Sequence, residues 1–200
     1  MKSRVIAFLS EHGSSIVLFT VLAGSLALNV VQARHLRTYT PPATRAKYAG
    51  PAVGELLSPL SVVALDGTKL AIAFNDPSTL VYVMAPDCSW CEQNRANIIA
   101  LAAAQTPDTR VVGLSIKGPL AALSEHLKQS PLPFPVYLLD ASDSSSAERF
   151  GFTPQTVMAV NGKVTHSWGG AMTDNLQAEV ERTLKIRLPG ITPLSGDKVQ

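Results

Sequence analysis

Between residues 56 and 188, short apolar runs rich in β-branched residues alternate with stretches whose apolar positions recur every three to four residues. "LSVVALDGTKLAIAF" (60–74) holds two such runs around Asp66-Gly67, which predicts a hairpin. "TLVYVMA" (79–85) suits a buried strand, and the segment from Cys88 to Gln105 is helix-like, with Ile98, Ile99, Leu101 and Ala102 on its apolar side. "RVVGLSI" (110–116) predicts the next strand, "PLAALSEHLKQ" (119–129) a helix with Pro in its first turn, and "PVYLLD" (135–140) another strand. Ser145 and Glu148 form a capping box for a short helix that ends near Gly151. "TVMAVNGKVTHSW" (156–168) predicts a hairpin on Asn161-Gly162. Leu176, Val180 and Leu184 mark the buried side of a closing helix, with Glu181 and Lys185 on its wet side. Alternation of strand and helix followed by an antiparallel pair predicts an α/β domain, a mixed sheet with helices on both faces.

The pattern ahead of this domain is different. Ser14 to Ala33 carry no formal charge and are mostly apolar, long enough as a helix to cross a hydrocarbon core of about 30 Å. Lys2 and Arg4 precede that run, as in a signal anchor, while Val31-Gln32-Ala33 also satisfies the small-residue rule for a cleaved signal. The expected organisation is a tip (1–13), a transmembrane anchor or signal sequence (14–33), a linker punctuated by Pro41-Pro42, Gly50-Pro51 and Gly54 (34–55), the domain (56–188) and a tail (189–200). Arg34, Arg37, Arg45 and Lys47 outnumber Lys2 and Arg4, so loop charge alone favours a cytoplasmic domain. A single N-terminal span behind a positive tip resembles an export signal, and the expected site is the cell membrane with the domain on the periplasmic or extracellular side.

Composition narrows the function. Of 200 residues, 46% are hydrophobic and 16% charged, enough apolar material for a packed core. The net charge of +2, without a basic stripe interleaved by aromatics, points away from nucleic acid. Cys88 and Cys91 are the only cysteines, too few for a disulfide framework. They lie where a strand passes into a helix, so the Cys88 sulfur falls near unpaired backbone N–H groups, which favours the thiolate that attacks disulfides. Cys91, one turn on, is placed to attack a mixed disulfide at Cys88. Asp87 beside Cys88 works against that thiolate. A metal-carrying module for Cu(I) or Zn, or a redox-inert binding module, are the other readings of the pair. Two thiolates leave structural zinc short of four ligands, and His126 and His166 are expected as surface or internally satisfied histidines. The peroxide-reducing pattern fails, with Val81 and Ala85 at its Pro and Thr/Ser positions.

"VYVMAPDCSWCEQN" and "GFTPQTVMAVNGKV" together resemble the thioredoxin-like superfamily over about residues 54 to 188. The hairpin at 60–74, the long stretch between the two motifs and the apolar N-terminus look like its membrane-anchored thiol–disulfide oxidoreductase branch, the redoxins similar to TlpA. That resemblance implies a redox-active Cys88–Cys91 pair, a cis-proline at Pro154, and Thr153 offering backbone groups to an extended client. Trp90 would shape the client groove. It also implies a reductant of exported proteins, apocytochromes c among them, fed by a membrane thiol electron donor and needing no cofactor. Where members of the thioredoxin branch carry a buried acid, this chain has Tyr82.

Overall fold

The computed structural model describes residues 18–32, 34 and 50–193. It divides into two units, Met1–Ala43 and Thr44–Gln200. In the first, residues 18–32 and 34 are helical (α1) and expose their apolar side chains, Leu18, Phe19, Leu22 and Leu26 among them. Among the described residues no helix is long and apolar enough to cross a membrane. Residues 14–17 and 33 of the expected anchor, and 35–49 of the expected linker, lie outside the described residues.

The second unit is built on one seven-stranded sheet in the order β2-β1-β5-β4-β3-β6-β7. Its strands are β1 (Leu60–Val63), β2 (Lys69–Ile72), β3 (Ser78–Met84), β4 (Thr109–Ser115), β5 (Val136–Leu139), β6 (Gln155–Val160) and β7 (Lys163–Gly169). The helices are α2 (Ser89–Gln93), α3 (Arg95–Ala103), α4 (Leu120–Gln129), α5 (Ser144–Arg149) and α6 (Asp174–Leu184). β3, β4 and β5 run parallel, and antiparallel pairs close both ends. Such a mixed sheet follows from helical crossovers joining the middle strands and tight turns joining the outer ones. At the β6–β7 turn Asn161 (φ 49) and Gly162 (φ 76) both take the left-handed region that a two-residue hairpin requires.

Strand alternation splits the core in two. Val81 and Val83 of β3 face one cluster, with Leu60, Val62, Ile72, Leu114, Phe150 and Val157. Leu80, Tyr82 and Met84 face the other, where Cys91, Ile98, Leu101, Leu123, Val180 and Trp168 pack. Thus α2, α3, α4 and α6 load one face, while α5 reaches the other through Phe150 at its C-cap. Helices cover both faces, unequally.

Several local expectations are corrected. The helix expected from Cys88 to Gln105 is two helices meeting at Asn94. Its buried Oδ1 accepts from Met172 N–H (3.0 Å) and Asn97 Nδ2 (3.1 Å), so the junction is tied to the loop before α6. The N-cap of α5 is Asp143, not Ser145: its carboxylate accepts from Ser146 N–H at 3.1 Å and also from Ser61 N–H. A carboxylate that caps a helix and ties down β1 outcompetes a serine two residues on. Pro119 sits at the N-cap of α4 rather than inside its first turn. Glu181 accepts from Leu188 N–H (2.8 Å), which holds its carboxyl below the usual range and latches the chain after α6. Asp140 is held by Lys69 (2.8 Å) and the Ser142 N–H, which lower its pKa to about 2.

Residues on both sides of the expected domain limits pack on it. Gly54 N–H reaches Val164 O, Glu55 pairs with Arg149 at 3.0 Å, and Gly190 N–H reaches Asn97 Oδ1 at 2.8 Å. Gly50 (φ 61) lies against the buried Gln155 amide, where a methyl would overlap the amide nitrogen. Gly50→Ala is expected to lower stability by about 1–3 kcal/mol, read from the urea midpoint, because backbone conformation and space both reject a Cβ. A variant as stable as the parent would show that residues 50–51 are dispensable packing.

Candidate functional site

β3 leads out of the core at Ala85 into Pro86-Asp87, and the chain turns at once into α2. Cys88 is the N-cap of α2: its sulfur accepts from Cys91 N–H at 3.1 Å and its carbonyl accepts from Cys91 and Glu92 N–H. One turn of helix then brings the second sulfur within bonding distance, and Cys88 and Cys91 are joined as a disulfide (Sγ–Sγ 2.09 Å). The two sulfurs differ in access. Cys88 is half-buried at the rim, whereas Cys91 is 5% exposed and belongs to the core. Access decides which of two thiols meets an incoming disulfide, so Cys88 is the outer sulfur and Cys91 the inner one.

Two open clefts meet the start of α2. A groove of about 530 Å³ is lined by Trp90, Thr153, Pro154, Gly170, Ala171 and Leu176, among others. Trp90 is 52% exposed, a large apolar face left in solvent beside the cysteines. The Thr153–Pro154 bond is cis. Pro154 O accepts from Gly170 N–H, and Gly169 lies against the Phe152 ring, so the β6 and β7 ends close the wall of this groove. The structure therefore brings Trp90, Thr153 and Pro154 together on one surface. Cys88 itself lines a second open cleft, with Asp87, Ser89, Glu92, His126, Gln129 and Ser130.

His126 and Glu92 are what the sequence reading missed. His126 is not a detached surface histidine: α4 carries it to the cysteines, with Nε2 4.0 Å from Glu92 Oε2. Glu92 also accepts from Ser130 Oγ at 3.2 Å. Nothing in the sequence spacing relates residue 126 to residue 88, because only the packing of α4 beside α2 makes them neighbours. His166 does fit its expectation, bonded to Thr165 Oγ1 (3.2 Å) and stacked on Trp168. Among the described residues no group of three or more His, Cys, Asp or Glu is placed to hold a metal ion.

Beneath the pair, Tyr82 is 2% exposed and its hydroxyl donates to Cys91 O at 3.3 Å. Burial pushes its phenol far up, against the opposing hydrogen bond of Asn94, and the charge of Glu92 adds to the rise. Tyr82 is thus a fixed neutral donor that supports the backbone of the inner cysteine, and it supplies no carboxylate there.

The fold is thioredoxin-like. It is similar to the thioredoxin domain of a thiol-disulfide oxidoreductase from Bacteroides vulgatus, with a TM-score of 0.54 and 18% identity over 68% of this chain and 99% of that one. A thiol:disulfide interchange protein from Bacteroides sp. gives a TM-score of 0.51 at 19% identity, over 67% of this chain and 91% of that one. No protein-family model matches the sequence, and no curated protein matches it. Within this class the chain places a disulfide-bonded Cys-x-x-Cys at the start of the helix that follows β3.

Proposed function

We propose that the chain is a thiol–disulfide oxidoreductase acting on exported proteins, with Cys88 as nucleophile and Cys91 as resolving cysteine. The observation that carries this reading is the asymmetry of the pair: an accessible sulfur capped by a backbone N–H, bonded to a buried sulfur one turn inside. In the reducing direction the Cys88 thiolate attacks a client disulfide and one client sulfur leaves as thiolate. Cys91 then attacks Cys88 Sγ, the mixed disulfide breaks, and the second client sulfur leaves. Two electrons pass to the client, which takes up the two protons the protein thiols lose, and a donor dithiol restores Cys88 and Cys91.

Thr153 and Pro154 present the client-binding edge. Among the described residues no backbone hydrogen bond engages Thr153, so its N–H and carbonyl are open to an extended chain, and Trp90 flanks that chain's side groups. The reducing direction, the periplasmic or extracellular setting, the membrane anchor and the membrane thiol donor belong to the same proposal. They are supported by the charge-free run from Ser14 to Ala33 and by the resemblance to the anchored branch.

The test is a redox titration in defined thiol buffers, read by alkylation and mass. A two-electron transition near about −270 mV or below is expected for a reductant. A value near about −120 mV would reverse the direction to oxidation of exported proteins. No two-electron transition at all would defeat the exchange reading.

A further inference from the structure

Beside Cys91 lies a small, partly open cavity of about 10 Å³, whose lining includes Tyr82, Cys91, Glu92, Arg95, His126 and Ser130. That volume is about the space one water needs, and a water is stable only where several polar groups meet it. Here the wall supplies a carboxylate, an imidazole, a guanidinium and a hydroxyl against the inner sulfur. Arg95 Nη2 is spent on Pro131 O at 2.6 Å, but its Nε is buried without a hydrogen-bond partner among the described residues and remains a donor at this wall. Glu92 and His126 line both this cavity and the open cleft that holds Cys88, so the pair spans from the buried sulfur to solvent.

From this geometry we infer that Glu92 and His126 form a proton relay for Cys91, working through one water in the cavity. The relay rests on the exchange reading of the Cys88–Cys91 pair. A buried thiol must lose its proton before it attacks, and the phenol of Tyr82 cannot accept one. In the mixed disulfide between Cys88 and a client, Cys91 Sγ–H gives its proton to the water, which passes one to the Glu92–His126 pair. The freed lone pair forms the bond to Cys88 Sγ, and the Cys88–client bond breaks with its electron pair on the client sulfur. The relay then releases its proton through the cleft to that thiolate. Ser130 Oγ donates to the Glu92 carboxylate at 3.2 Å, and that carboxylate lies 4.0 Å from His126 Nε2, so the two groups stand as a pair beside the cavity. The titratable groups facing His126 are Glu92 from α2, Arg95 from α3, Tyr82 from β3, and Asp87 and Cys88 from the intervening turn. On α4 itself Glu125 and Lys128 pair with each other at 3.5 Å.

The test is a stopped-flow reaction of the reduced protein with an aromatic disulfide, dithiobis(nitrobenzoate), whose thiolate is coloured. Attack by Cys88 releases one thiolate, and resolution by Cys91 releases the second. His126→Gln and Glu92→Gln are each expected to slow the second phase about a hundredfold near neutral pH and to flatten its pH profile. The double variant is expected to be no slower than the slower single one, since the two groups act as a unit. A second phase with wild-type rate and pH profile in both variants overturns the relay alone. So does a slowed phase that keeps the wild-type pH profile, which assigns the pair a structural role. A wild-type protein that releases no second thiolate overturns the exchange reading, and the relay with it.

Discussion

Cys91→Ala is expected to turn the protein from a turnover catalyst into a trap, with a Cys88–client mixed disulfide accumulating on non-reducing gels. Catalysed reduction of a disulfide peptide should fall on the order of 10³-fold or more, as it does when a nucleophile is removed. Cys88→Ala should abolish turnover equally and accumulate no adduct. The asymmetry follows from access, since Cys88 is half-buried on an open cleft while Cys91 is 5% exposed. Without Cys91 the first attack still proceeds, but no second sulfur is within reach to expel the client. An adduct formed by Cys88→Ala and not by Cys91→Ala would invert the assigned roles. Adduct from neither would point back to a binding module.

The largest effect on stability is expected from Phe150→Ala, about 3–5 kcal/mol by the denaturant midpoint. The ring is fully buried at the C-cap of α5, and its N–H bonds to Ser146 O, so neither backbone nor side chain is free to fill the space it leaves. Phe150 also anchors the segment that runs directly into Thr153 and Pro154, and it shares its cluster with Val81, Val83 and Val157 of the central strands. Exchange with a peptide client should therefore weaken more than reaction with a small aromatic disulfide, which needs only Cys88. A loss below about 1 kcal/mol would mean that α5 is not an integral part of the domain.

Most of the strand order in sequence was legible because strands carry a local signature. β3, β4, β5 and the β6–β7 hairpin fall close to the apolar runs that announce them, and Asn161-Gly162 turns where a left-handed pair is required. Errors arose where a side chain serves a distant partner. Asp143 displaced the Ser145 capping box because it also binds Ser61, far away in sequence, and Asn94 divides the long helix because it binds Met172. Residues 50–55 and 189–193 read as linker and tail, since few apolar side chains mark them; backbone hydrogen bonds hold them instead.

For the site, sequence alone determined the Cys-x-x-Cys at a strand-to-helix junction and a proline ahead of a later strand, features written in adjacent residues. Which sulfur is buried, that Trp90 shares a groove with Thr153 and Pro154, and that Glu92 and His126 meet beside Cys91 were decided by tertiary structure only. The reason is physical. Local sequence sets backbone preference over a turn or two, whereas these neighbours are joined by the packing of α4 on α2 and the approach of β6 and β7 to the helix start.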